Sequence, residues 1–162
     1  KILTLISIMF FASYSILGQK KLPSSTIKTL QGKPINIQDI NNDGNPIVIS
    51  FWATWCKPCK KELNAIAEVY EDWQDETDVK LIAISIDDSR SKSKVKPMVN
   101  ANGWEYEILL DPKKNLSNLL GVGTIPHTFL INGKGEIVWE HTNYLDGDEE
   151  LLYEKILSIS KQ

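Results

Sequence analysis

A chain of 162 residues with 42% hydrophobic and 24% charged side chains is long enough for one domain with a full core and too short for two. Its net charge of -3 and lack of a basic excess argue against nucleic acid or an anionic membrane surface as a partner. Its two cysteines, Cys56 and Cys59, are too few for a disulfide framework.

Residues 2–17 carry no charge, follow Lys1 and end in Gly18-Gln19 ahead of Lys20-Lys21. That is the pattern of a secretory signal, so residues 1–19 are expected to be a signal peptide and residues 20–162 one domain. An uncleaved membrane anchor is the competing reading; the run falls short of the roughly 20 apolar residues that span a bilayer. No cysteine follows it, which removes a lipid-anchored version. Export to the periplasm would put two lone thiols in an oxidising compartment, where they either bond to each other or do redox work.

The first elements are a small hairpin, with a turn at Gln31-Gly32-Lys33-Pro34 and an alternating strand over 35–40. After the turn cluster 41–46, the continuous apolar run 47–52 predicts a strand buried on both faces. Leu63, Ile66, Tyr70 and Trp73 then fall on one face of a helix. A second buried strand follows over 79–87, a helix over 95–101 stopped by Asn102-Gly103, and a short strand over 106–111. A short helix at 115–120 is closed by Gly121; strands at 127–132 and 135–141 pair as a hairpin, and a helix over 149–160 closes the chain. The order predicts an α/β fold, a central mixed sheet flanked by helices on both faces.

The two cysteines stand in Cys56-Lys57-Pro58-Cys59, between the strand that ends at Trp52 and the helix under way by Leu63. Cys56 is therefore expected at a helix start, where free N–H groups and the macrodipole favour a thiolate. Cys59 lies one turn on, on the same face and within disulfide reach. Cys56 is the exposed candidate nucleophile and Cys59 the resolving thiol turned toward the core. Pro58 sits in the first turn, where its missing N–H is not needed, and Lys57, Lys60 and Lys61 add positive charge. A zinc site would need two further ligands; His127 and His141 are too far apart for ordinary spacing, so neither metal nor cofactor is expected.

The stretch FWATWCKPC, preceded by a buried strand and followed by GVGTIPHTFLINGKGEIV, resembles the thioredoxin superfamily, within it the exported TlpA/ResA-like thiol-disulfide oxidoreductases. The resemblance runs from about Thr26 onward and implies a thioredoxin-like fold with an N-terminal β-hairpin and an inserted helix-strand unit at 94–111. It implies attack by Cys56, resolution by Cys59, and a cis-proline at Pro126, whose preceding residue Ile125 offers backbone to an extended substrate. Trp55 matches the aromatic that shields the pair, so Trp55, Lys57, Pro58, Ile125 and Pro126 are the expected substrate-binding residues. Ser50 departs from thioredoxin, which has a buried Asp there to deprotonate the resolving thiol. His127 follows the proline where thioredoxin has Thr, either as a satisfied strand histidine or as a titrating neighbour of Cys56.

Trp52, Trp73, Trp104 and Trp139 read as packing residues ahead of a binding box, and Asp87-Asp88 as a cap or turn ahead of a proton partner. The run 89–96, SRSKSKVK, reads as a solvated loop face ahead of a docking site for an acidic partner. The expected protein is a monomeric disulfide reductase of the periplasm recharged by a membrane thiol electron donor, and the resemblance implies disulfide-containing exported proteins, apocytochrome c among them, as its substrates. A disulfide-forming oxidant is the runner-up. A peroxiredoxin-type peroxidase shares the fold, but its Pro-x-x-x-Thr-x-x-Cys element is missing around Cys56 in this chain, and a non-enzymatic peptide- or metal-binding module is the alternative from another class.

Overall fold

The computed structural model describes residues 20–160, so the expected signal peptide lies outside the described residues. One mixed sheet holds β1 (Thr26–Thr29), β2 (Pro34–Asn36), β3 (Ile47–Trp52), β4 (Lys80–Ser85), β5 (Glu107–Leu110), β6 (His127–Ile131) and β7 (Ile137–Thr142), in the order β2-β1-β5-β4-β3-β6-β7. The helices are α1 (Lys57–Thr77), α2 (Val95–Asn102), α3 (Asn115–Leu120) and α4 (Asp148–Ser160).

All six residues of β3 are buried, as its unbroken apolar run requires of a strand between two neighbours and two covered faces. It runs parallel to β4 and antiparallel to β6, with Phe51 opposite His127. That register brings the end of β3 beside the start of β6, which sets the two cysteines next to Pro126.

The β3-α1-β4 and β4-α2-β5 units step across the sheet in one direction, so right-handed crossovers place α1 and α2 on the same face. Bonds of 2.8 Å from Trp104 Nε1 to Asn64 and 3.1 Å from the Tyr106 hydroxyl to the Leu63 carbonyl tie the end of that unit to α1. The aromatic residues pack as expected: Trp52 meets Trp104 edge to face at 5.0 Å, and Trp73 stacks on Tyr153 at 5.3 Å, clamping α4 to α1.

At two boundaries a side chain ends a strand earlier than the sequence reading, while the others shift by one or two residues. The strand expected over 35–40 stops at Asn36, and Ile37–Asp39 forms a 3-10 turn. The Asn36 carboxamide accepts from the N–H groups of Gln38 and Ser25, and this local capping displaces the ladder. The strand expected over 79–87 ends at Ser85, because the Ser85 hydroxyl accepts from Asp87 N–H and the Asp87 carboxylate accepts from the Ser85 hydroxyl. The N-terminal hairpin reaches the sheet through β5, with Lys28 opposite Leu110, so the inserted helix-strand unit bridges the hairpin to the rest.

Candidate active site

The chain leaves β3 at Trp52, turns through Ala53, Thr54 and Trp55, and enters α1 with Cys56 as its N-cap; the Cys56 N–H donates to the Ala53 carbonyl at 3.0 Å. Cys56 and Cys59 are joined by a disulfide with their Cα atoms 5.4 Å apart. The Cys59 N–H, one of the free donors of the first helical turn, donates to Cys56 Sγ at 3.2 Å. On reduction the same N–H and the helix end would face a Cys56 thiolate, an arrangement that favours the charged sulfur.

Cys56 is less open than expected: 4% of it is exposed, against none of Cys59. The Ile125-Pro126 segment closes over it, with the Ile125 carbonyl oxygen 3.7 Å from Cys56 Sγ. The Ile125-Pro126 peptide is cis, and the Pro126 carbonyl accepts from Asn143 N–H at 2.9 Å, fastening this loop to the end of β7. Trp55 (63% exposed), Lys57 and Pro58 are exposed around the pair, Ile125 is half-buried and Pro126 buried. The structure thus gathers every expected site residue at one place.

Asp87 takes the structural role. It is buried, and its carboxylate accepts from Thr54 N–H at 2.8 Å, the Thr54 hydroxyl at 2.6 Å and the Ser85 hydroxyl at 2.9 Å. These bonds hold the turn that delivers Cys56. Asp87→Ala leaves three donors without an acceptor and is expected to destabilise the oxidised protein by about 3 kcal/mol in urea unfolding.

Sequence reasoning missed Glu62. Its carboxylate, 4% exposed, lies on α1 one turn beyond Cys59 and accepts from the hydroxyls of Ser50 at 2.8 Å and Thr128 at 2.7 Å. Burial pushes its carboxyl above the usual range, and the bonds from Thr128 and Ser50 only partly offset this. Thioredoxin's strand Asp is replaced here by Ser50, and a carboxylate from the helix occupies the same side. The signal was available: Glu62 sits three residues after Cys59 and one before Leu63, inside the buried stripe.

Thr128 faces α1, so strand alternation puts His127 on the opposite side of the sheet. There its ring stacks on Phe129 with centroids 4.3 Å apart, and Nε2 lies 3.8 Å from a Glu140 carboxylate oxygen. Burial lowers its pKa from the ordinary 6.5, more than Glu140 raises it. The unfolded chain therefore binds this proton more readily, so the contribution of His127 to stability declines as pH falls below 6.5 and levels off below the lowered folded value. His127→Phe is expected to remove that loss, so the stability difference between variant and parent grows on acidification from about pH 7 to 5, as read by urea midpoints.

A cavity of about 810 Å³ is remote from this chemistry, at the end of the sheet lined by Asn42, Tyr70, Gln74, Asp78 and Lys80. Residues 19–140, which include every residue of the site, match the AhpC/TSA family. The chain belongs to the AhpC/TSA family. Within it, the chain is 34% identical over 119 residues to the thiol-disulfide oxidoreductase ResA of Bacillus anthracis, covering 74% of this chain and 66% of that protein. It is 37% identical over 112 residues to the sporulation thiol-disulfide oxidoreductase A of Bacillus subtilis, covering 68% and 66%. The matches thus span just under two thirds of the length of these curated relatives. Among solved structures, a thioredoxin-like protein from Porphyromonas gingivalis superposes with a TM-score of 0.78 at 47% identity, over 86% of this chain and 92% of that one. The thioredoxin-like fold of this AhpC/TSA member follows, with the hairpin and the inserted helix-strand unit in place.

Proposed function

We propose that the protein is a thiol-disulfide oxidoreductase that reduces disulfides of exported proteins. The observation that carries the reading is the placement of the Cys56–Cys59 pair at the N-terminus of α1, with the Cys59 N–H on Cys56 Sγ and the Ile125 carbonyl against it.

In the reduced protein, the Cys56 thiolate attacks one sulfur of the substrate disulfide; the S–S bond breaks, and the other substrate sulfur leaves as a thiolate that takes a proton. Glu62, one helical turn from Cys59 and held basic by burial, accepts the Cys59 proton. Cys59 then attacks Cys56 Sγ, the mixed disulfide breaks, and the second substrate sulfur leaves as a thiolate that takes the proton held by Glu62, the first having taken its proton from solvent. Two electrons and two protons have passed to the substrate, and the protein is left as the disulfide. Ile125 supplies backbone to an extended substrate, while Trp55, Lys57, Pro58 and Pro126 form the rim on which it rests.

Residues 1–19 are the export leader in this account, residues 20–162 the periplasmic working domain, acting as a monomer. A membrane thiol donor returns the electrons, and apocytochrome c is one candidate substrate. Oxidised insulin with dithiothreitol as the electron source tests the activity: the protein should accelerate precipitation of the reduced B chain. A rate no greater than dithiothreitol alone would reject the reading.

A further inference from the structure

The segment 89–96 is the solvated face the sequence predicts, exposed except at Ser91 and Val95, and it lies near Trp55. A groove of about 370 Å³ beside the redox pair is lined by Trp55, Ile86, Asp88, Arg90, Lys94 and Lys114. Trp55 precedes Cys56 in the chain, so the groove starts one residue from the nucleophile and reaches Lys94, the N-cap of α2. It holds three cations and one carboxylate in a chain whose net charge is -3. Asp88 pairs with Arg90 at 2.9 Å, which leaves Lys94 and Lys114, both exposed, without a carboxylate partner among the described residues. The neighbouring groove continues the positive band with Lys28, Lys92 and Lys96.

These charges sit on ordered backbone. Lys114 is held in a left-handed turn, φ 57°, by its N–H bond to the Asp111 carbonyl at 2.9 Å. The buried Asp111 carboxylate fixes the same turn by accepting from the N–H groups of Asn115 and Ser117 at 3.0 and 2.9 Å. Lys94 is placed by Val95, which is fully buried.

We propose that this groove selects protein substrates carrying an acidic segment beside the target disulfide. The proposal rests on the reductase reading above and gives it a substrate class. An extended partner whose cysteine bonds Cys56 would lay its flanking residues over Trp55. Carboxylates a few positions on would then meet Lys94 and Lys114, speeding encounter and fixing which side of the partner chain enters the groove.

The test uses the full chain, reduced and freed of excess reductant, mixed with synthetic peptides that share one disulfide loop and carry on one flank a short run of Glu, Gln or Lys. Each peptide disulfide takes two electrons and two protons from the Cys56/Cys59 dithiol, and acid quenching gives the second-order rate. At about 20 mM ionic strength the Glu peptide should react about tenfold faster than the Gln peptide, and the gap should close at about 0.5 M salt. Lys94→Glu with Lys114→Glu should invert the order, so that the Lys peptide leads. Lys134→Glu with Lys155→Glu, the same charge change elsewhere, should keep it. Equal rates for Glu and Gln peptides, or an order that survives the Lys94/Lys114 pair, would overturn the docking proposal while exchange still stands. Failure to reduce any of the three would overturn both.

Discussion

Replacing Cys56 by Ser is expected to lower insulin-reduction turnover by on the order of a thousandfold or more, because hydroxyl cannot replace the thiolate that opens the substrate disulfide. The substitution leaves the helix cap in place: a Ser hydroxyl accepts from the N–H of the residue three on as readily as Cys56 Sγ does, so folding should survive. Cys59→Ser removes the second step alone. The first exchange still runs, the mixed disulfide has no intramolecular attacker, and substrates should be recovered bound through Cys56 on non-reducing gels. A fully active Cys56→Ser protein would remove Cys56 from the chemistry. A Cys59→Ser protein that captures nothing would remove the exchange route.

The second large effect is expected at Glu62. Glu62→Gln keeps the shape and the hydroxyl partners but cannot accept the Cys59 proton, so resolution should slow by about a hundredfold and the mixed disulfide should accumulate. The same variant reads out on stability. Because burial raises the folded pKa of Glu62 above 4.5, its neutral form contributes stability that is present below pH 4.5 and is lost as pH rises through the folded value. Gln has no such loss, so the stability of the Gln variant relative to the parent should climb with pH above 4.5. Urea unfolding of the oxidised forms across that range checks the sign, and a flat difference would contradict the buried-carboxylate account. This slope opposes that of His127, which weakens the protein on acidification, so only differences between each variant and the parent separate the two.

The strands and helices that carry the site were legible because their signals are long and consistent. The unbroken apolar run of β3, the three-four spacing of Leu63, Ile66, Tyr70 and Trp73 on α1, and the CKPC element between them leave little freedom. The downstream Ile125-Pro126 was legible through resemblance, and the register of Phe51 with His127 is what carries it to the sulfurs. Less was readable where a side chain overrides a pattern, as at Asn36, whose carboxamide ends β2 inside an alternating stretch. Glu62 was passed over because a carboxylate in an amphipathic helix ordinarily reads as surface, although its place in the buried stripe beside Leu63 marked it; the hydroxyls of Ser50 and Thr128, one on each of two neighbouring strands, are what satisfy it there. The basic run 89–96 was hidden for a different reason: its position beside Trp55 depends on the path of the chain after β4, which no local period encodes.

The direction of electron flow depends on how strongly the reduced pair is stabilised. A strong dithiol oxidant near -120 mV has a reduced form held down by its environment, whereas thioredoxin sits near -270 mV. Among the described residues Cys56 Sγ has one N–H donor, from Cys59, and against it a carbonyl oxygen, from Ile125, which offsets part of the stabilisation that the helix end gives a thiolate. The Lys-Pro dipeptide between the cysteines is also closer to thioredoxin's Gly-Pro than to the oxidant's Pro-His. Equilibrating the protein in dithiothreitol or glutathione buffers and alkylating its free thiols gives the potential of the Cys56–Cys59 couple. A value at or below about -250 mV is predicted and makes the pair a reductant; a value near -120 mV would contradict the account and reverse the flow.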